Sequence, residues 1–143
     1  MLQTGNFQQG NIMSLDVNWL AVVAAAVSAF VLGGLWYGPL FKHAWCREAG
    51  LDPDAKPGHP GRVFGSAFVL ALVAAAAFAM LLGPAPSLQL GLHHGALVGG
   101  AFVATSFGIN YAFAQRSLKL WMIDGGYHIV QFTAFGLILG LWP

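Results

Sequence analysis

The stretch that decides the fold of this chain is residues 116–143, RSLKLWMIDGGYHIVQFTAFGLILGLWP. Arg116 and Lys119 stand at its start, and most of the residues that follow are apolar. This pattern predicts a membrane-spanning helix, because about 20 apolar residues cover a hydrocarbon core ~30 Å thick. Asp124 and His128 interrupt the apolar run, and a carboxylate at the bilayer centre is unfavourable by roughly 2.5–3.5 kcal/mol. These two side chains therefore mark the part of the chain that most needs a physical explanation.

The composition of the chain points to a lipid environment. Of its 143 residues, 57% are hydrophobic and 8% are charged, against about 25% charged residues in a typical soluble domain. So few charges cannot cover a water-exposed surface, and we predict an integral membrane protein whose first partner is the lipid bilayer. The net charge of +1 provides no field that would attract nucleic acid.

Four apolar segments predict four membrane spans. Residues 1–15 are rich in Gly, Asn and Gln, and they predict a flexible N-terminal tail. Asp16 is the expected cap of the first helix. Residues 16–143 are predicted to form a single membrane domain, an all-α four-helix bundle. Its spans run at about 19–37, 63–83, 90–113 and 119–142.

A short amphipathic helix is predicted between the first two spans, at 40–49 (LFKHAWCREA). Its apolar residues fall on one side at helical spacing and its basic residues on the other, which is typical of a helix lying in the headgroup plane. Trp45 is expected to anchor this helix at the interface. Cys46 is the only cysteine and is expected to be a thiol near the membrane surface.

The basic residues indicate the orientation. All of them fall within 38–62 or 114–119, which four spans would place on one side of the membrane. The positive-inside rule assigns that side to the cytoplasm, with both termini outside. The basic residues are Lys42, Arg47, Lys56, Arg62, Arg116 and Lys119.

Small residues recur at every fourth position of the third predicted span and near the end of the fourth. In lipid, close backbone packing is the main force that holds helices together, and small side chains permit it. Two stripes on the third span would serve two neighbours, so we expect this span at the centre of the bundle or of a homo-oligomer. The helix-packing residues are Gly91, Gly95 and Gly99 in one stripe, Gly100, Ala104 and Gly108 in the other, and Gly136 and Gly140 in the fourth span.

A polar cluster is predicted in the cytoplasmic half of the membrane. Asp124, His128 and Gln131 are spaced i, i+4 and i+7, which places them on one face of a helix. The turn before this helix is short, and the first span ends on the same side, so other polar groups lie at similar depth. The predicted cluster comprises Trp36, Tyr37, Asn110, Asp124, Tyr127, His128 and Gln131.

Two interpretations of this cluster stay open. It is a proton- or ion-handling site, since an ionisable group within a membrane is a functional candidate and His titrates near neutrality. Alternatively, Asp124 pairs with His128, Asn110 or Arg116 and locks the helices together, a contact worth about 0.6 kcal/mol. The sequence contains no catalytic triad, cofactor motif or metal-ligand spacing. We therefore expect no enzymatic activity, no cofactor and no metal.

Two segments, GGLWYGPLFKHAW (33–45) and LWMIDGGYHIVQFTAFGLILGLW (120–142), resemble a family of small bacterial inner-membrane proteins catalogued as domain of unknown function number 1761. The resemblance implies a four-helix protein of the inner membrane, and it implies no activity. The chain departs from the family pattern at Lys42-His43, where Gly-Lys is usual, and at Ala114-Gln115, where a Phe-Glu pair is expected. The residues that match the family pattern are Trp36, Tyr37, Gly38, Pro39, Asn110, Asp124, Gly126, Tyr127 and His128.

We expect a small multi-pass inner-membrane protein that is a non-enzymatic structural or accessory subunit, and that self-associates or docks on a larger membrane complex. The alternative is a small oligomeric ion- or proton-coupled channel or transporter that uses Asp124 and His128. Its size and span number are similar to those of small multidrug exporters and fluoride channels. The exporters, however, need an acidic residue in the first span, and this chain has none there.

Overall fold

A computed structural model describes residues 15–143, and within them all regular structure is helical. The all-α prediction is therefore confirmed for this part of the chain, whereas residues 1–14 of the predicted tail lie outside it. A kinked turn, Trp36–Leu40, links the first two helices, and a π-helical turn, Val98–Ala104, makes the fourth and fifth helices continuous. The helices are α1 (Trp19–Leu35), α2 (Lys42–Ala49), α3 (Pro60–Leu82), α4 (Leu88–Leu97), α5 (Thr105–Phe113) and α6 (Leu118–Leu141).

Among residues 15–143, three helical segments are long and apolar enough to cross a membrane: Trp19–Leu40, Pro60–Leu82 and Leu88–Phe113. Helix α6 is as long, at 24 residues, but it is not among them. Its polar residues Asp124, His128 and Gln131 lower its mean hydropathy.

The helix ends follow ordinary capping chemistry. The side-chain oxygen of Asn18 accepts hydrogen bonds from the backbone N–H groups of Leu20 and Ala21, each at 3.1 Å. The predicted cap, Asp16, is therefore wrong: Asn18 directly precedes the first helical residue, which is the position from which a short side chain reaches the free N–H groups.

Helix α6 is the central element within one chain, because it packs against α1, α2, α3 and the continuous α4–α5 helix. Alanines form much of the core beside it. Ala21, Ala25 and Ala29 recur at successive turns of α1 and are buried. Ala71 and Ala75 of α3 belong to the same buried cluster. Their small side chains let α1 and α3 approach closely.

The first glycine stripe lies against the backbone of α6. A Cβ at Gly91 or at Gly136 would overlap the backbone of the other residue, and Gly95 faces α6 in the same way. A Cβ at Gly99 would lie 2.6 Å from the carbonyl oxygen of His128. Since real Cβ atoms do not approach backbone atoms so closely, this contact requires glycine.

The π-helical turn between α4 and α5 brings the second glycine stripe onto the same side of the continuous helix as the first stripe. Ala104 follows Gly99 by five residues rather than four, and the wider turn absorbs the extra residue. A Cβ at Gly125 of α6 would lie 3.3 Å from the Cβ of Ala104, and one at Gly108 would lie 2.9 Å from Nε1 of Trp121. The two predicted stripes therefore act as one, and both face α6.

The third span does not lie at the centre of the bundle within one chain, and its predicted position at the centre of an oligomer stays a prediction. Residues 88–113 lie at the edge of the single chain, because their small residues serve one neighbour instead of two. Gly100 faces only the flexible side chain of Ile129. A Cβ at Gly140 would lie 2.7 Å from Cα of Leu88, which extends the close packing to the far end of α6.

Candidate functional site

Asp124 is buried in the second turn of α6, with 7% of its surface exposed. Its Oδ1 accepts a hydrogen bond from the Tyr37 hydroxyl at 2.7 Å and another from Nε1 of Trp45 at 3.0 Å. Its Oδ2 accepts from the Tyr111 hydroxyl at 2.7 Å. These donors are all neutral, and we call the four residues the Asp124 junction. Together they connect the end of α1, helix α2, helix α5 and helix α6.

A kink after α1 aims two of the donors at Asp124. Gly38 leaves helical geometry, with φ −97° and ψ −109°, and Pro39 removes a backbone donor from the same turn. The kink folds α2 back onto the start of α6, so that Trp45 reaches the carboxylate. Trp36 strengthens the same contact by donating from Nε1 to the carbonyl oxygen of Ile123 at 2.9 Å.

Helix α2 is thus part of the packed structure. Trp45, predicted as an interface anchor, is half-buried and bound to Asp124. Cys46 is buried beside it, with 6% of its surface exposed. The Ser117 hydroxyl donates to Oε2 of Glu48 at 2.6 Å and ties the end of α2 to the start of α6. Helical spacing alone assigned Trp45 to an apolar face but did not reveal that this face meets α6.

The predicted polar cluster divides into two groups. Tyr37 and Asp124 belong to the junction, whereas Tyr127, His128 and Gln131 line the cavity and make no hydrogen bond to Asp124. The Tyr127 hydroxyl donates to the carbonyl oxygen of Ala29 at 3.0 Å. Nδ1 of His128 and Oε1 of Gln131 are 2.8 Å apart and share a hydrogen bond. The carboxylate of Asp124 and the ring of His128 therefore have different hydrogen-bond partners, although they lie one turn apart.

Asn110 lies on an exposed side of α5. Its neighbour Tyr111 contacts Asp124 instead, because adjacent helical residues point about 100° apart. This turn of α5 lies at the predicted depth of Asp124, but the residue of the turn that faces Asp124 is Tyr111, and the predicted Asn110 is on the other side. The sequence feature that could have indicated this contact is the tyrosine next to Asn110, near the end of the span that precedes α6.

A cavity of about 830 Å³ lies between α1, α3 and α6. Its walls are largely apolar, with Phe30, Ala71 and Phe132 among them. The polar side chains among its lining residues are those of Tyr37, Lys42, Tyr127, His128 and Gln131. Asp124 is not among the lining residues, so the junction and the cavity are separate features that share Tyr37.

Within residues 15–143, no three His, Cys, Asp or Glu side chains are close enough to hold a metal ion together. The Asp124 junction consists of a carboxylate with neutral donors, which is an arrangement that fixes side chains in place. The cavity, in contrast, has the size and the mixed lining of a small-molecule site.

Comparison with known proteins places the chain in a family. No curated protein and no solved structure matches it. A family model described as "Protein of unknown function (DUF1761)" matches residues 20–140, which include the whole Asp124 junction and all the cavity-lining residues. The chain therefore belongs to the DUF1761 family.

Proposed function

We propose that this protein is a small multi-pass protein of the bacterial inner membrane with a non-enzymatic role, as a structural or accessory subunit. The Asp124 junction carries the proposal. Both carboxylate oxygens bind donors from distant parts of the chain, and Asp124 does not line the cavity. A carboxylate that moves protons or ions must exchange partners along a path, whereas this one is held by packed neighbours.

The proposal includes α6 as a fourth span. At 1.5 Å per residue, 24 residues extend about 36 Å, enough for a ~30 Å core. The polar side chains Asp124 and Gln131 are buried, so they do not lie on the outer surface that faces the bilayer. After Lys119 in its first turn, the exposed large side chains of α6 are apolar, and they include Met122, Ile129 and Leu137. This inside-out distribution supports a helix that lies in lipid despite its modest mean hydropathy.

We further propose that both termini are periplasmic. The amide nitrogen of Asn18 donates to the carbonyl oxygens of Trp142 and Pro143, each at 3.4 Å, so the start of α1 and the end of α6 lie together. The basic residues belong to α2, the α2–α3 loop, the start of α3, the α5–α6 turn and the start of α6. The start of α6 is the end of that helix opposite to the one that meets Asn18. The positive-inside rule supports a cytoplasmic location for that basic end.

A second copy of this chain is our proposed neighbour for the α4–α5 helix. This helix is the least buried of the three apolar segments, and the Asn110 side chain is exposed on it. Lipid tails offer an amide no hydrogen-bond partner, whereas a facing helix does. We therefore expect Asn110 at the contact between two copies; a larger membrane complex is the other occupant that the experiment below tests.

The alternative function is an ion- or proton-coupled channel or transporter. One observation favours it: His128 and Gln131 line a cavity within the membrane domain. In that case His128, rather than Asp124, would be the group that meets the transported species.

The deciding experiment measures the particle mass in mild detergent, by light scattering after size exclusion, for wild type, Asp124→Asn and Asn110→Leu. Ser106→Ala is the control, since Ser106 is also exposed on α5 but its hydroxyl already bonds to the carbonyl of Phe102. We expect a homo-oligomer that Asn110→Leu dissociates and Ser106→Ala preserves, with Asp124→Asn lowering thermal stability. A co-purifying protein would assign the interface to a larger complex. An Asp124→Asn particle of unchanged stability that loses ion-coupled uptake in liposomes would overturn the structural role in favour of transport.

A further inference from the structure

We propose that the cavity between α1, α3 and α6 binds a single-chain lipid with an anionic headgroup. The headgroup lies beside Lys42, the chain lies along the apolar wall, and an ester or hydroxyl oxygen of the lipid meets the His128–Gln131 pair. This inference goes beyond the structural role proposed above and does not depend on the oligomeric state.

The size of the cavity suits such a ligand. Its volume of about 830 Å³ falls within the ~300–1,000 Å³ range of small-molecule sites. The space exists because small residues face it: Gly33 and Gly34 of α1, and Ala67 and Ala74 of α3, are lining residues. A Cβ at Gly34 would have no atom within 4 Å, so this position borders open space rather than a packed surface.

The wall of the cavity admits an alkyl chain from the side. Phe64 and Leu70 of α3 line the cavity, and both are exposed on the surface of the chain. Nearer α6, Phe132 is buried and closes the inner wall. An apolar chain that replaces lipid contacts with this wall loses no hydrogen bond, because the surfaces on both sides are apolar.

The polar groups are placed at two levels, and this favours a lipid with polar atoms near one end. Lys42 begins α2, at the end of the molecule that carries the basic residues, and its exposed ammonium group attracts a phosphate or carboxylate. His128 and Gln131 lie deeper. Their mutual hydrogen bond uses one polar atom of each side chain, and each retains another donor or acceptor. An oxygen below the headgroup can therefore hydrogen-bond to this pair.

The hydroxyl protons of the two cavity tyrosines are already engaged. Tyr37 donates to Asp124 and Tyr127 donates to Ala29. Tyrosine therefore contributes shape and lone pairs to the site, and recognition of the anion falls to Lys42. This assignment predicts that headgroup charge, rather than chain length alone, controls binding.

The test uses the full-length protein in neutral detergent and a photoreactive probe, a lysophosphatidic acid that carries a diazirine in its acyl chain. Its neutral partner is a monoacylglycerol with the same chain. Labelled residues are mapped by mass spectrometry, and probe concentrations for half-maximal labelling are compared. We expect labelling of the cavity-facing parts of α1 and α3, with the anionic probe effective at about tenfold lower concentration than the neutral one.

Two variants with matched controls locate the site. Gly34→Leu fills the cavity and should abolish labelling, whereas Gly65→Leu, which also meets no atom within 4 Å but does not line the cavity, should not. Lys42→Gln should remove the advantage of the anionic probe, and Lys56→Gln in the α2–α3 loop should preserve it. Ala67→Phe is a second cavity-filling variant should Gly34→Leu fail to fold.

Two outcomes would overturn the proposal. Labelling that spreads over all lipid-facing helices and survives both cavity-filling variants would mean that the cavity holds only bulk bilayer lipid. Equal labelling by the anionic and the neutral probe would refute recognition of the headgroup by Lys42.

Discussion

The indole nitrogen of Trp45 lies 3.0 Å from Oδ1 of Asp124, although 79 residues separate them in the chain. This hydrogen bond joins α2, whose sequence resembles that of a surface helix, to the central helix α6. It makes the stability of the helical fold depend on a helix of eight residues. Two of the predictions below follow directly from this contact.

Asp124→Asn should destabilise the folded protein in detergent. The amide replaces one acceptor oxygen by an NH₂ group, so at least one of the three donors loses its partner. An unsatisfied buried polar group is unfavourable by about 1–3 kcal/mol. Asp124→Leu removes both acceptors and should be worse. The measurement is the temperature of unfolding, monitored by size exclusion. The control is Asp54→Asn in the exposed α2–α3 loop. Equal stability of the Asp124→Asn variant and the wild-type protein would argue against a structural junction.

Trp45→Phe should expose Cys46. Cys46 is the only cysteine of the chain and is buried on α2, so the rate of its reaction with a maleimide reports how often α2 separates from α6. Loss of a hydrogen bond worth about 1 kcal/mol should raise this rate roughly fivefold. Trp142→Phe, near the exposed C-terminus, should leave the rate unchanged. If Cys46 of the wild-type protein reacts as fast as in the denatured chain, α2 is not docked as described.

Gly91→Ala should disrupt the packing of α4 on α6. The added Cβ would overlap the backbone of Gly136, and backbone cannot rotate aside as a side chain can. Overpacking of this kind typically lowers the free energy of unfolding by about 1–3 kcal/mol. Gly65→Ala is the matched control, because a Cβ there meets nothing within 4 Å and alanine favours the helix. The prediction fails if the two variants unfold at the same temperature.

Deletion of Phe102 should separate the second glycine stripe from α6. The side chain of Phe102 is 63% exposed, so its own contacts contribute little. Its removal would convert the five-residue step from Gly99 to Ala104 into a four-residue step. Every residue after the deletion would then rotate by about 100° relative to α4.

The readout for this deletion is thermal stability, together with the fluorescence of Trp121, which donates to the Ala104 carbonyl at 2.7 Å. Phe102→Ala removes the same side chain without changing the register and should behave like wild type. A deletion variant as stable as Phe102→Ala would show that the π-helical turn is dispensable.

Much of the architecture could be predicted from the sequence, because it depends on local composition. Apolar runs of about 20 residues define the three helices that are able to cross a membrane. The polar residues of 116–143 and their helical spacing identified Asp124, His128 and Gln131 as unusual. The residues of the family pattern, among them Trp36, identified the relationship with DUF1761.

The arrangement of side chains around those residues could not be predicted in the same way. The predicted depth of a residue follows from its distance along a helix from the helix end, and this distance predicted that Asn110 lies near Asp124. The direction in which a side chain points depends on how two helices pack, and in the packed structure Tyr111 contacts Asp124 instead. Likewise, nothing local to Trp45 reveals that the kink at Gly38 turns α2 toward α6.

The sequence by itself thus determined a membrane-compatible, helical chain and predicted that its basic residues lie at one end, because hydrophobicity, helix length and charge are properties of single segments. Only the tertiary structure decided that α6 is central, that two glycine stripes become one across a π-helical turn, and that Asp124 is enclosed by Tyr37, Trp45 and Tyr111. The physical reason is that these contacts depend on the rotation and kinking of whole helices. Those are set by close packing between residues far apart in the chain.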